Sequence, residues 1–387
     1  MIVSRKKRVL TVGHSYVVAL NRRLAHEIES TSAGEWEVTA AAPASFPGDL
    51  RKINLEPQDD ETCRVEPVRM HFARSPHMMI YGSRMRHLLR QPWDLVHAWE
   101  EPFVFAGGQI AYHTPRQVPL VFSTFQNISK KYPFPFSWIE RYAMRRASGW
   151  IAFGKTVETA LQQSTLYCAR PHRVITPGVD IDQFRPDKSR GAAVRQNLGW
   201  SDNGPAVIGY LGRFVPEKGI NFLLGILDRL KTPWRALFVG GGPLEGRLRK
   251  WAAKHPDRVR ICTAVDHSDV PAYLNAMDLM CAPSQTTATW QEQFGRMLVE
   301  AFACGVPVLG SASGEIPHVI KDAGVVLDES DPDPWVDTLH ALLESPTRRH
   351  TLSAAGHERA VRTFAWRVVA LKHLEFFNEI QTAGPSE

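Results

Sequence analysis

The chain has 387 residues, of which 44% are hydrophobic and 22% are charged. These proportions are ordinary for a soluble globular protein and exclude a disordered, collagenous or disulfide-scaffold protein. No stretch reaches about 18 consecutive apolar residues, and the first apolar run is too short for a secretory signal, so we expect a cytoplasmic protein of two or three domains.

Positive charge is concentrated in the first half of the chain. Residues 1–180 carry 23 Lys and Arg against 16 Asp and Glu, whereas residues 181–387 carry 23 against 24. A one-sided basic surface suits an anionic partner such as a lipid headgroup layer or a phosphorylated substrate, and a solvated face without a partner explains the same counts equally well. Nucleic acid is the least favoured partner because no recognised binding module accompanies the basic residues.

Metal and disulfide chemistry have little support in the sequence. The five cysteines are scattered, and none stands at metal-ligand spacing. Asp331 and Asp333 form a D-x-D pattern, but they follow the last predicted strand in a polar segment, which favours a plain turn. We therefore expect no metal site and no resident cofactor.

Short apolar strands alternate with helical segments along the chain, a pattern typical of parallel sheets covered by helices on both faces. The predicted strands are 8–13, 36–42, 94–99, 118–124, 149–153, 174–180, 206–212, 235–240, 259–262, 279–282, 306–309 and 324–327. The predicted helices are 16–29, 78–89, 138–147, 220–230, 244–253, 270–276, 296–303, 334–343 and 348–377, the last broken near Thr363. Residues 43–66 are predicted to be an irregular surface excursion.

The alternation is interrupted once and then restarts, which predicts an α/β fold of two Rossmann-like domains whose parallel sheets face each other across a cleft. The predicted domains are 1–185 and 186–360. A C-terminal helical segment, 361–387, follows them. Ligands of open parallel sheets bind at the carboxyl ends of the strands.

Residues 212–219, Gly-Arg-Phe-Val-Pro-Glu-Lys-Gly, follow a predicted strand and open a predicted helix. Arg213 offers a planar fork for two phosphate oxygens, and Lys218 adds a compact charge five residues later. The helix N-terminus adds partial positive charge. Together these groups suit a diphosphate, with Gly212 allowing the turn.

Glu292 and Glu300 stand eight residues apart across a predicted loop-to-helix junction. Glu300 lies among apolar residues, so it is unlike a solvated surface carboxylate. Free N–H groups near Phe294 and Gly295, at the helix start, suit an oxygen-rich ligand. A carboxylate that accepts two vicinal hydroxyls is ordinary sugar recognition.

The glycine cluster at 240–242 does not fit a dinucleotide-binding motif, because position 245 of the required spacing is Glu245. It is interpreted as a turn that allows close backbone approach.

The second half resembles the nucleotide-sugar-binding domain of retaining GT-B glycosyltransferases of family 4. The motifs that carry the resemblance occur in order within residues 206–328 and are Gly-Arg-x4-Lys-Gly at 212–219, Gly-Gly-Gly-Pro at 240–243, Ala282-Pro-Ser284, the Glu292 and Glu300 pair, and Glu300-Ala-Phe-Ala-Cys-Gly-Val-Pro-Val308. The first half and the last helix are compatible with the family but less diagnostic. The resemblance implies that the helical segment 361–387 crosses back to the first domain, and an ordinary helix of the second domain is equally open.

The resemblance implies a role for each motif residue. Arg213 and Lys218 would hold the diphosphate of a nucleotide-diphosphate sugar, and Glu300 would accept the ribose hydroxyls. Glu292, with backbone groups near Phe294 and Gly295, would hold the transferred sugar. The loop at Val265 would line the base. The same resemblance implies catalysis without metal by Arg213, Lys218 and Glu292, with retention of anomeric configuration.

The first half departs from the family pattern at Gln126 and Asn127, where many members have a histidine near the transferred sugar. Gln126 donates a hydrogen bond but cannot act as a base near neutral pH. His14 and Glu101, each at the end of a predicted strand, are further candidates for the acceptor side, with a purely structural role equally open for both.

We therefore expect a metal-independent hexosyltransferase that transfers sugar to a saccharide, lipid-linked or small-molecule hydroxyl. Association with an anionic membrane at the inner face is a weaker extension of the basic first half. The alternatives are a GT-B-like sugar-nucleotide epimerase and a catalytically inactive regulatory relative.

Overall fold

A computed structural model describes residues 5–47, 52–57, 61–201 and 203–383 of the chain. Contacts divide the chain into two compact units, of which the second is Gly178–Ala365. The first unit contains the residues up to Pro177 together with those from Trp366 onward. The predicted divisions, after residues 185 and 360, lie a few residues from these points.

The strands follow the alternation seen in the sequence. They are β1 (Lys7–Val12), β2 (Trp36–Pro43), β3 (Ser45–Pro47), β4 (Lys52–Asn54), β5 (Arg64–Val68), β6 (Met70–His71), β7 (Ile80–Tyr81), β8 (Leu95–Ala98), β9 (Leu120–Thr124), β10 (Gly149–Ala152), β11 (His172–Val174), β12 (Val207–Leu211), β13 (Arg235–Val239), β14 (Val259–Cys262), β15 (Leu279–Ala282), β16 (Val308–Ser311) and β17 (Val325–Leu327).

Helices connect most successive strands of the two large sheets. They are α1 (Ala19–Thr31), α2 (Ser83–Leu89), α3 (Phe105–His113), α4 (Phe136–Arg146), α5 (Lys155–Leu161), α6 (Thr165–Cys168), α7 (Lys188–Asn197), α8 (Ile220–Leu227), α9 (Glu245–Ala252), α10 (Val270–Asn275), α11 (Arg296–Ala303), α12 (Ile316–Ile320), α13 (Asp333–Glu344), α14 (Pro346–Arg359) and α15 (Trp366–Thr382). A π-helical turn, Ala360–Phe364, precedes α15.

The first unit is built on a seven-stranded sheet in the order β11-β10-β9-β8-β1-β2-β5. Every pairing in it is parallel. Strands β8 to β10 are buried along their whole length, as expected where helices cover both faces of a parallel sheet.

The second unit is built on a six-stranded sheet, also parallel throughout, in the order β14-β13-β12-β15-β16-β17. The strand order reverses beside β12, so the loops after β12 and β15 lie next to each other at the carboxyl edge. The predicted α/β fold of two Rossmann-like domains is confirmed.

Several local predictions in the first unit were wrong, and three of them concern the main sheet and the helices beside it. Residues 43–66 contain the hairpin of β3 and β4 and the start of β5, an edge strand of the main sheet. The helix predicted at 78–89 begins only at Ser83, because Ile80 and Tyr81 pair with the strand before them. Helix α3 was not predicted, since its pair of glycines lowers helix propensity and burial of Ala106 and Ile110 stabilises it instead.

Helix α15 belongs to the first unit, where it packs against α1. Phe377 lies in the core of that unit with its ring centroid 6.0 Å from that of Trp36. The break between α14 and α15 falls at Ala365, close to the predicted break near Thr363. Within the described ranges, no helix combines the length and the hydropathy that a membrane crossing requires.

Candidate functional site

The loop after β12 carries the two predicted phosphate-binding cations. Lys218 ends a short 3₁₀ turn and is followed by Gly219, whose φ of 71° is the left-handed conformation that favours glycine. A Cβ at Gly219 would lie 1.7 Å from the carbonyl oxygen of Pro283, so a side chain there has no room. Gly219 therefore allows the loop after β12 to pass directly over the loop after β15.

This close approach joins Lys218 to Glu292. Lys218 Nζ lies 2.5 Å from Glu292 Oε2, and the two side chains are only 14% and 7% exposed. The hydroxyl of Ser284, at the end of β15, donates to the same oxygen over 2.9 Å. One of the two cations predicted to bind the diphosphate is therefore held by the carboxylate predicted to bind the sugar.

Arg213 differs from Lys218 in being largely open to solvent. Its side chain is 59% exposed, and its guanidinium lies 4.0 Å from Glu217. Its backbone is fixed by the hydroxyl of Tyr210, which donates to the Arg213 carbonyl over 2.8 Å. The backbone of Arg213 is thus held in place while its guanidinium is exposed, an arrangement that suits a side chain that binds an anion from solvent.

Glu300 projects from α11 into the same region. It is buried, and one of its oxygens lies 3.3 Å from Nε2 of His267. Gly295, with the left-handed φ of 77°, precedes α11, and its carbonyl accepts the Leu298 N–H over 2.9 Å.

A cavity of about 390 Å³ at the carboxyl edge of the second sheet brings these groups together. It is lined by Leu211, Gly212, Arg213, Lys218, His267, Val270, Glu292, Gly295, Arg296, Met297 and Glu300. Six of the predicted residues thus share one cavity, in which cationic and acidic side chains face the same space.

Two predicted donor residues lie beside this cavity rather than on its wall. The Phe294 side chain is buried, with its ring centroid 6.0 Å from that of Phe364, so only its backbone is suited to a ligand. Val265 is partly buried against the core of the second unit.

His14 in the first unit is held by a carboxylate that the sequence analysis did not select. Both its Nδ1, at 2.7 Å, and its backbone N–H, at 2.6 Å, bond to the buried Glu100. The hydroxyl of Tyr81 donates to Glu100 over 2.5 Å. Burial alone would lower the pKa of His14, but the charge of Glu100 and its hydrogen bond outweigh burial and raise it.

Glu101 supports the loop that contains the other acceptor candidates. Its two oxygens accept the Thr124 hydroxyl, at 2.6 Å, and the Phe125 N–H, at 2.7 Å. Burial raises its pKa to about 7 despite these bonds. The side-chain amide of Gln126 donates to the Ile128 carbonyl, and Asn127 is buried. These contacts favour a positioning role for Glu101.

Sequence reasoning missed several residues of these two sites. Trp290 lies with its ring centroid 5.3 Å from Lys218 Nζ, and His267 contacts Glu300. Both stand in loops that follow strands, a signal that could have identified them. Glu100 was ranked below Glu101, because its hydrogen bonds with Tyr81 and His14 join residues that are distant in sequence.

Among the described residues, no three His, Cys, Asp or Glu side chains are grouped so as to hold an ion. Asp331 accepts the backbone N–H of Asp333, and Asp333 pairs with Arg229, 2.6 Å away.

Two family models match the chain. The one described as Glycosyl transferases group 1 matches residues 195–359, and the one described as Glycosyltransferase Family 4 matches residues 20–183. The matches fall in the two units described above and together leave only the ends and a short connection uncovered.

Curated relatives match over about half of the chain. The GDP-mannose-dependent monoacylated alpha-(1-6)-phosphatidylinositol monomannoside mannosyltransferase of Corynebacterium glutamicum is 33% identical over 202 residues, covering 50% of this chain and 52% of that protein. The D-inositol 3-phosphate glycosyltransferase of Xylanimonas cellulosilytica is 32% identical over 227 residues, covering 55% and 52%. The chain spans about half the length of the curated relatives it matches.

Solved structures match over nearly the whole chain. Sucrose-phosphate synthase from Thermosynechococcus elongatus has a TM-score of 0.72 and 19% identity, covering 98% of this chain and all of that one. Anabaena HepE in complex with UDP-glucose has a TM-score of 0.70 and 19% identity, covering 96% and 99%. The chain therefore belongs to the group 1 glycosyltransferases of the GT-B fold.

Proposed function

We propose that the protein is a retaining glycosyltransferase that moves a sugar from a nucleoside-diphosphate sugar to an acceptor hydroxyl. The observation that carries this proposal is the single cavity in which Arg213, Lys218, Glu292 and Glu300 meet. Two cations suit the diphosphate, and two buried carboxylates suit the hydroxyl groups of the ribose and the sugar.

The leaving diphosphate is the group that needs most stabilisation. As the bond between the anomeric carbon and the phosphate oxygen breaks, its electron pair moves to that oxygen and negative charge grows there. Arg213 contributes a bidentate fork and Lys218 a point charge. These two cations supply the charge neutralisation that a metal ion would otherwise give, which supports catalysis without metal.

Retention follows if the acceptor attacks from the face that the phosphate leaves. The acceptor oxygen forms the new bond to the anomeric carbon, and the acceptor proton passes to the departing phosphate oxygen. No side chain then acts as a base, which agrees with the glutamine at position 126. The protein contributes alignment of the two substrates and stabilisation of the leaving group.

The ion pair between Lys218 and Glu292 gives the donor a way to reorganise its own site. A bound diphosphate attracts Lys218, and the Glu292 carboxylate then accepts hydroxyls of the transferred sugar. Ser284 keeps Glu292 in place through its hydrogen bond. Glu300 accepts the ribose hydroxyls, with Val265 and the backbone near Phe294 and Gly295 completing the donor site.

On the acceptor side we assign His14, Gln126 and Asn127 as contacts, with Glu101 positioning their loop. The relatives named above act on phosphatidylinositol mannoside or inositol phosphate, which supports a saccharide, lipid-linked or other polar acceptor. The basic first half supports cytoplasmic, peripheral attachment to an anionic membrane.

The first test is a thermal-shift screen of the full chain against nucleoside diphosphates, with GDP and UDP as the leading probes because relatives and a structural neighbour carry those names. At a hundred times the dissociation constant a ligand adds about 2.7 kcal/mol of stability. Stabilisation by one diphosphate and not by its nucleoside is expected, and no shift with any diphosphate would contradict the proposal.

Product analysis then separates the alternatives. The matching nucleotide sugar is incubated with and without acceptor saccharides or lipid extracts. Release of nucleoside diphosphate with a new α-linked product supports a retaining transferase. Conversion of the donor sugar without acceptor identifies an epimerase, and tight binding without turnover identifies an inactive relative.

A further inference from the structure

Exposed apolar side chains are concentrated on one part of the first unit. The large hydrophobic residues that are exposed in the described part of the chain are Phe72, Met78, Tyr112, Phe134, Trp138, Tyr142, Val174 and Leu371. Of the first six, Tyr112 lies on α3, Trp138 and Tyr142 lie on α4, Phe134 stands just before α4, and Phe72 and Met78 lie between β6 and β7. The connection between β6 and β7 contacts the start of α3, since the Phe105 N–H donates to the His77 carbonyl over 3.1 Å.

The outer face of α4 has an unusual composition. Ile139, Ala143 and Met144 face the core, and positions 138, 141, 142 and 145 form the opposite stripe at helical spacing. That stripe reads Trp138, Arg141, Tyr142 and Arg145, all exposed. The Trp138 and Tyr142 rings stack with centroids 6.1 Å apart. Solvent-facing stripes of surface helices are ordinarily polar, so two aromatic rings that alternate with two arginines favour a docking surface.

Helix α3 continues this surface. The Tyr112 ring is 70% exposed and lies 6.5 Å from that of Tyr142. Between the two helices is a cavity of about 410 Å³ with mainly apolar walls, to which Phe105 and Ile139 also contribute. Phe134, 82% exposed, stands just before α4. The aromatic–basic face is defined here as Tyr112, Phe134, Trp138, Arg141, Tyr142 and Arg145.

The charge in the sequence segments around this face is almost entirely positive. Residues 67–93 and 102–146 carry five and six Lys or Arg, respectively, and a single acidic residue, Glu140. The Glu140 carboxylate accepts the Tyr167 hydroxyl over 2.8 Å and is half-buried. Among the described residues, no carboxylate forms an ion pair with Arg141 or Arg145. The face is therefore positive and apolar at once.

We propose that the aromatic–basic face docks on an anionic phospholipid bilayer, with the rings at headgroup level and the arginines on lipid phosphates. Trp and Tyr favour the membrane interface because their bodies are apolar and their edges polar. Arginines beside them add attraction to anionic headgroups. Docking at this face would bring the protein to a lipid-linked acceptor in the bilayer. This link to the acceptor rests on the proposed function, whereas the docking itself does not.

Vesicle flotation of the full chain tests the docking directly. The vesicles contain phosphatidylcholine with or without about one third phosphatidylglycerol, at low and at physiological salt. Wild-type protein is expected to float with anionic vesicles and not with neutral ones. Arg141→Gln and Arg145→Gln are each expected to weaken binding about fivefold. Trp138→Ala with Tyr142→Ala is expected to weaken it about tenfold, through lost apolar insertion.

Matched controls lie outside the face. Leu371→Ala removes an exposed apolar side chain of α15, and Arg247→Gln with Lys250→Gln removes two exposed charges of α9. Both are expected to bind vesicles like wild type. Circular dichroism and nucleotide binding confirm that each variant folds.

Three results would overturn the proposal. The first is that wild type floats equally, or not at all, with neutral and anionic vesicles. The second is that the control variants lose as much vesicle binding as the variants of the face. The third is that the variants of the face bind vesicles like wild type, while light scattering shows that they have lost self-association. None requires sugar transfer. A protein that binds vesicles but no nucleoside diphosphate would overturn the proposed function and leave the docking intact.

Discussion

Lys218 Nζ and Glu292 Oε2 lie 2.5 Å apart at the carboxyl edge of the second sheet, joining loops that are 74 residues apart in sequence. Both side chains are nearly buried, so neither charge is well solvated without the other. The pair is therefore both a contact between loops and the place where a donor would enter. A change of either partner should therefore affect the stability of the fold and the binding of the donor, and the two effects can be measured separately.

Replacing Lys218 with Met should destabilise the fold, because Glu292 is left as a buried charge without its cation. Loss of one partner of a buried pair costs about 3 kcal/mol. The double variant Lys218→Met with Glu292→Gln should lose less free energy of unfolding than the sum of the losses of the two single variants. Urea unfolding of both single variants and the double variant measures this coupling. Additive effects would show that the pair does not contribute to stability.

Replacing Arg213 with Gln should leave stability within about 0.5 kcal/mol of wild type, because the side chain is largely exposed. Affinity for a nucleoside diphosphate should nevertheless fall about tenfold or more, since a charge-assisted hydrogen bond is lost. Calorimetric titration with the diphosphate and with the nucleoside separates the two contributions. Arg229→Gln, an exposed arginine paired with Asp333, is the matched control and should bind both ligands normally.

Replacing Glu300 with Gln should remove discrimination at the ribose. A carboxylate that accepts a hydroxyl contributes about 1.5–3 kcal/mol, so binding of the ribonucleotide should weaken at least about tenfold. The 2′-deoxy and 3′-deoxy nucleotides should already bind wild type weakly and lose little further affinity in the variant. If the ribonucleotide and both deoxynucleotides lost affinity equally, Glu300 would act on the cavity as a whole and not on the hydroxyls.

Glu101 should make stability depend on pH. Its pKa is about 7 in the folded chain against 4.5 when unfolded, so the folded state binds more protons between these values. The free energy of unfolding should therefore fall as pH rises from 4.5 to 7, by about 1.4 kcal/mol per unit at most. In Glu101→Gln this part of the slope should vanish. Denaturant midpoints of both proteins across this range provide the measurement.

A parallel experiment with Glu35→Gln controls for general charge effects. Glu35 is a surface carboxylate of the first unit, paired with Lys7. Its replacement should leave the pH profile between 4.5 and 7 close to that of wild type. A profile of Glu101→Gln that follows wild type across the window would show that burial of Glu101 does not govern this stability change.

Elements stabilised by local sequence patterns were predicted better than elements whose conformation depends on residues far away in the sequence. The strands around Val9, Val207 and Leu237 were predicted well, because buried parallel strands form continuous apolar runs. The edge strand β5 and helix α3 were not, since their conformations depend on packing against distant residues. Arg213, Lys218, Glu292 and Glu300 could be selected as candidates because they stand in short sequence motifs, and the structure places them around one cavity.

The amino-acid sequence alone determined the alternating α/β plan, the family of the second half, the basic first half and the acidic and cationic candidates of the donor site. Only the tertiary structure decided that Lys218 pairs with Glu292, that Glu100 holds His14, and that Trp138 and Tyr142 face outward beside Tyr112. Periodicity and motif spacing report local conformation, whereas partners in space depend on which loops the sheet order brings together.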